Sequence, residues 1–113
     1  MTFAMTYLCL GAAIAAEVIA TSALARSESF TRPIPTLITI VFYAAAFWLL
    51  SYPLRAMPTG VVYAIWSGAG IVLIALVAWV WFGQKLDFPA IVGLSFIIAG
   101  VVIVNVFSKS LTH

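Results

Sequence analysis

Four apolar stretches, each near the length of a membrane span, occupy most of this 113-residue chain and leave it few ways to fold. They cover about residues 4–25, 34–54, 59–82 and 88–107. A helix needs roughly 20 apolar residues to cross ~30 Å of hydrocarbon, so each stretch is long enough. Only 7% of the residues are charged and 65% are hydrophobic, whereas a soluble domain carries roughly a quarter charged residues. So little polar surface cannot cover that much apolar bulk in water, which makes the chain an integral membrane protein. Strands of a membrane barrel would alternate in character residue by residue. These stretches are apolar all round, so the expected fold is all-α, a single membrane domain of four transmembrane helices.

The connections are short. Arg26 to Arg32 form a polar link closed by Pro33 and Pro35, residues suited to a first helical turn. Arg55 to Pro58 precede the third span. Gly83 to Asp87 precede the fourth, with Asp87 placed to cap it and Pro89 in its first turn. Nothing is left over for an extramembrane domain, so any function must lie between helices. The N-terminus lacks a basic run and a cleavage site, so the first stretch reads as a retained span. Lys85, Asp87, Lys109 and His113 fall at or beyond span ends and read as solvated anchors. The net charge of +2 is scattered, which excludes a nucleic-acid footprint. Cys9 is the only cysteine, with no partner for a disulfide and no companions for a metal, and reads as packing. No metal, cofactor or catalytic constellation is expected, and the chain does not read as an enzyme.

With four spans, Arg55 and Lys109 share one side of the membrane, and Arg26, Arg32 and Lys85 share the other. The Lys/Arg asymmetry that orients membrane proteins is therefore nearly absent. Either the orientation is weakly biased, or both orientations are made and chains pair antiparallel. The second reading is favoured because one four-helix chain is too small to enclose a path.

One carboxylate interrupts the first span. Glu17 lies about 12 Å from the nearer end of its segment at 1.5 Å per residue. An ionisable group at that depth costs several kcal/mol even on lenient insertion scales (roughly 3 at a helix centre), so it needs a partner, a wet cavity or a task. Ala13, Ile14, Ala20 and Thr21 share its helix face, with Leu10 and Leu24 a turn further out. Mostly small neighbours leave room for a ligand or for a closely approaching helix. Glu17 can be a protonated hydrogen-bonding tie between helices, or an ion and proton site. A lone carboxylate in apolar surroundings can hold either a proton or a cation.

Tyr63, Trp66, Ser67 and Gly70 stand at i, i+3, i+4 and i+7 of the third span, hence on one face. Ring faces beside a carboxylate suit a lipophilic cation that offers no hydrogen-bond donors. Tyr52, Trp79 and Trp81 fit an interfacial aromatic belt, whereas Tyr63 and Trp66 lie one to two turns inside. Tyr43 is a weaker candidate on the same logic. Gly68 and Gly70 permit a bend in the third span, with close packing as the alternative. Gly93 and Gly100, seven apart, form a contact stripe for another helix.

These residues lead to a resemblance. The AEVIAT around Glu17, PTGVVYAIWSGAGIVLI from Pro58 to Ile74, FGQKLDFPAIVG from Phe82 to Gly93 and AGVVIVN from Ala99 to Asn105 resemble the small multidrug resistance family of bacterial inner-membrane transporters over nearly the whole chain. The resemblance implies an antiparallel, dual-topology homodimer that exchanges protons for polyaromatic or quaternary ammonium cations. Glu17 matches the family's essential carboxylate, Tyr63 and Trp66 its aromatic substrate positions, and Tyr43 and Thr21 accessory ones. Gly68, Gly70 and Val72 fall in the segment that bends, and Gly93 and Gly100 in the fourth-helix dimer contact. A guanidinium-exporting branch tends to place Trp soon after the acid and to read PVG and WTG in the third helix. Here Glu17 is followed by Val18, Ile19 and Ala20, and the third helix reads Pro58-Thr59-Gly60 and Trp66-Ser67-Gly68, which favours the polyaromatic-cation branch. The chain departs from the family at Ala25, where a basic residue is common, with Arg26 one place on, and at Ser29, where a loop Gly is common.

The expected activity is proton-coupled export of lipophilic cations by alternating access. Guanidinium exchange and a non-transporting structural or channel-like subunit are the alternatives.

Overall fold

The computed structural model describes residues 2–107, so Lys109 and His113 lie outside the described residues. The described chain is helical nearly throughout: α1 (Phe3–Arg26), α2 (Pro33–Leu50), the single turn α3 (Pro53–Ala56), α4 (Thr59–Phe82) and α5 (Phe88–Phe107). Four of its helical stretches are long and apolar enough to cross a membrane.

Helix ends follow local chemistry. Thr2 caps α1 by accepting a hydrogen bond from the Met5 N–H (3.2 Å). Asp87 does the same for α5, accepting from the Ala90 N–H at 3.0 Å. Gly83 ends α4 in the left-handed region (φ 67°), where a side chain would be strained. The second apolar stretch is not one helix to residue 54. Pro53 has no N–H to give the Leu49 carbonyl and its ring crowds that carbonyl, so α2 stops at Leu50 and the chain restarts as α3.

The link from α1 to α2 is a strained corner. Glu28, Ser29 and Phe30 all have positive φ (50°, 60° and 68°), three non-glycine residues in succession in the left-handed region. Ser27, fully buried, holds the corner: its Oγ donates to the Leu24 carbonyl at 2.8 Å and accepts from the Phe30 N–H at 3.1 Å.

Packing centres on α1. Ala13, Ala16 and Ala20, all buried, recur at i, i+3 and i+7, so the α1 backbone can lie close to its neighbours. Thr39, Ala46 and Leu50 are the buried residues of α2. Thr39, on α2, spends its hydroxyl on the Pro35 carbonyl (2.8 Å) and reaches the Ala20 carbonyl of α1 at 3.4 Å. Leu10, Ile14 and Val18 complete the core with Leu50, Met57, Val61 and Val62. The last helix differs. No residue of α5 is buried, and among the helices it packs on α4 alone. It touches α1 only through side chains, where the Tyr7 hydroxyl donates to Asn105 Oδ1 at 3.2 Å. At the other end of α1 the Arg26 guanidinium lies over the Phe82 ring, 4.6 Å from its centroid.

Candidate functional site

Because α1 and α4 face each other across their middles, Glu17 meets the aromatic face of α4. A cavity of about 280 Å³ lies there, walled by Glu17 and Thr21 on one side and by Tyr63, Trp66, Ser67, Gly70, Ile71 and Ile74 on the other. The four residues spaced at i, i+3, i+4 and i+7 in α4 thus share one wall. Glu17 is half-buried. Its Oε2 would stand 3.5 Å from a Cβ at position 70, ordinary van der Waals contact, so the carboxylate lies directly against the α4 backbone at Gly70.

The carboxylate is held by a directed chain of hydroxyls. Thr21 Oγ1 donates to Glu17 Oε1 at 3.0 Å, one helical turn along. Thr21 also contacts the Tyr43 hydroxyl of α2 at 2.5 Å. A threonine hydroxyl has one proton. With that proton on Glu17, Tyr43 is the donor to Thr21, and both dipoles point at the carboxylate.

Rings continue the wall. Tyr63 and Trp66 meet at 5.7 Å between centroids, with planes 68° apart. Phe47 of α2 sets its ring edge-on to Trp66 at 6.0 Å and stacks on Tyr43 at 6.2 Å. Tyr63 is 63% exposed, so its ring is the part of the wall most open to an incoming ligand.

Other candidates lie elsewhere. Ala13 and Ile14 share the helix face of Glu17 but are buried in the core, not on the cavity wall. Tyr43 acts on the cavity through Thr21. α4 runs as one helix through Gly68 and Gly70, and Gly68 lies against α5: a Cβ there would clash with Val101 Cγ2. Gly93 and Gly100 face open space, with nothing within 4 Å of an added Cβ. Sequence reasoning missed Ile71, Ile74 and Phe47. The two isoleucines carry no contrast in an all-apolar helix, while Phe47 had a signal in its position one turn after Tyr43.

A family model described as Small Multidrug Resistance protein matches residues 5–97. The chain belongs to the small multidrug resistance family. Within that family it is 55% identical over 107 residues to the multidrug transporter EmrE of Escherichia coli K12, covering 95% of this chain and 97% of the relative. It is 47% identical to the quaternary ammonium compound-resistance protein QacF of Klebsiella aerogenes (92% and 94% covered). It is also 47% identical to the multidrug resistance protein mmr of Mycolicibacterium paratuberculosis (89% and 95% covered). The family resemblance read from AEVIAT and the motifs of the third and fourth spans is therefore correct, including its nearness to the quaternary ammonium branch. As a family member with four apolar spans, the chain is a multi-pass membrane protein of a transporter family, not an enzyme family.

Proposed function

We propose that this protein exports lipophilic and quaternary ammonium cations in exchange for protons across the bacterial inner membrane. The observation that carries the reading is the cavity in which Glu17 faces Tyr63 and Trp66. Glu17 is the one carboxylate among the cavity's walls, so a proton and a cationic ligand compete for the same oxygens. A cation entering between the rings displaces the proton, and a proton arriving from the other side displaces the cation. That exclusivity couples the two flows. The rings attract positive charge through their faces and impose little shape, so discrimination among hydrophobic cations is broad. The names of EmrE, a multidrug transporter, and QacF, a quaternary ammonium resistance protein, support this substrate class.

The working unit is an antiparallel homodimer, which the nearly even loop charges favour. Its two Glu17 carboxylates share one chamber and the open stripe of Gly93 and Gly100 forms the contact. Exchange of conformations between the two inverted subunits opens the chamber to one side at a time, and bending at Gly68, Gly70 and Val72 accompanies it. Ala13 and Ile14 support the substrate site from behind, through the packing of α1.

The test is proton release on adding tetraphenylphosphonium to purified protein. Wild type releases protons and Glu17→Gln releases none. Undiminished proton-coupled export by the Gln variant would sink the mechanism. A parallel flux assay in which guanidinium outcompetes tetraphenylphosphonium would move the protein to the guanidinium branch.

A further inference from the structure

A second cavity, of about 550 Å³, lies between the C-terminal half of α4 and the N-terminal half of α5 and shares no residue with the Glu17 cavity. Its α4 wall descends from Trp79 to Val72, about 10 Å at 1.5 Å per residue. Its α5 wall is Ile91, Leu94, Ser95 and Ile98, one face at i, i+3, i+4 and i+7. Ser95 adds no free donor, because its hydroxyl is given to the Ile91 carbonyl at 2.8 Å. The groove is therefore apolar along its length.

Its end is not. Lys85 lines the groove from the connection between α4 and α5, where the chain leaves the membrane. Lys85 has no hydrogen-bond or ion-pair partner among the described residues. The nearby acid, Asp87, is turned into the first turn of α5, where it accepts from the Ala90 N–H. An apolar groove ending in an unneutralised ammonium repels the cations assigned to Glu17. It matches a molecule with an anionic head at the membrane surface and an apolar tail below it. A bilayer supplies that molecule, and basic pockets between transmembrane helices are known to hold anionic headgroups.

The dimer contact proposed above leaves the groove open. Gly93 and Gly100 carry the proposed dimer contact, and Gly93 lies about 200° around α5 from Ile91 at 3.6 residues per turn. A partner seated on the glycine stripe leaves the opposite face of α5 free.

We propose that the groove between α4 and α5 binds one anionic phospholipid, with an acyl chain between the helices and its phosphate on the Lys85 ammonium. The exclusion of a second copy rests on the dimer contact proposed above, whereas the chemistry at Glu17 plays no part in the site.

The experiment is native mass spectrometry of the purified protein after titration with equal amounts of phosphatidylglycerol and phosphatidylcholine. Wild type retains phosphatidylglycerol over phosphatidylcholine by about fivefold, the worth of one basic residue at a membrane surface. Lys85→Arg keeps that ratio and Lys85→Gln brings it close to one. Ser95→Phe, which fills the groove, lowers retention of both lipids, and Glu17→Gln changes neither. Lys85→Gln with an unchanged ratio, or Ser95→Phe with undiminished retention, would overturn the proposal. So would competition by glycerol phosphate as strong as that of the intact lipid, since it would make the ligand a free anion. The Lys85 variants alter only an exposed side chain and decide the question even if Ser95→Phe fails to fold.

Discussion

α1 and α5 are both apolar helices of membrane-spanning length, yet one is the most buried element of the chain and the other has no buried residue. Mean hydropathy ranks them the other way: 1.9 for α1 and 2.6 for α5. The inversion has a physical cause. In a bilayer the outside of a bundle is as apolar as its inside, so association comes from close backbone approach and polar ties. α1 has both, in its alanines and in Glu17, Thr21 and Ser22, and those residues lower its hydropathy. α5 has large aliphatic side chains suited to lipid. Of these two spans the less hydrophobic is thus the inner one.

The contrast is open to several tests, the first of which is the loss of cation-driven proton release in Glu17→Gln described above. Next in size is overpacking. Ala20 has no exposed surface, so Ala20→Leu forces α2 off α1 and destabilises by about 3 kcal/mol, toward the upper end for added core volume. Ile103→Ala on α5, where 56% of the residue is exposed, costs well under about 1 kcal/mol. Unfolding of both variants by denaturant in mixed micelles checks the pair, and equal losses would erase the distinction between the helices.

A third test addresses where α5 joins. Gly68→Ala drives a methyl into Val101 and loosens α5 from α4 at a cost of about 1–2 kcal/mol. Val101→Ala on the same background restores most of that loss, a coupling that a double-mutant cycle measures. If Gly68→Ala is neutral, α5 is not seated on that glycine.

The hydroxyl chain gives a smaller effect. Thr21→Val removes the donor to Glu17 and weakens cation binding by about tenfold, since a hydrogen bond to a charged group is worth roughly 1.5 kcal/mol or more. Tyr43→Phe weakens it less and adds nothing on the Thr21→Val background, because Tyr43 acts through that hydroxyl. Calorimetric titration with tetraphenylphosphonium reads both, and full additivity would break the chain. Last is the corner after α1. Ser29→Gly relieves one left-handed residue and raises stability by about 1 kcal/mol, seen as a higher unfolding midpoint.

The sequence made legible what contrasts with its surroundings. Glu17 stood out as an acid among apolar residues, and Tyr63, Trp66, Ser67 and Gly70 stood out as polar or small positions at helical spacing; the structure puts all five on one cavity. Where every residue is apolar there is no stripe to read, so the sequence could not say that Ile71 and Ile74 line the cavity. Nor could it say that Ala13 and Ile14 turn away from it. The break after Leu50 was hidden for a related reason: Pro53 sits in a run whose hydropathy continues past it. The left-handed corner was hidden because Glu28, Ser29 and Phe30 are not residues that announce positive φ; the burial of Ser27 and its two hydrogen bonds impose it.

The walls of the Glu17 cavity are all drawn from residues 17–74. Within one subunit, α5 therefore contributes no residue to the cavity wall. The last helix reaches those walls through α4, where Val101 packs on Gly68. Changes in the final quarter of the gene can alter what the outside of each subunit meets without replacing any residue of its own cavity wall.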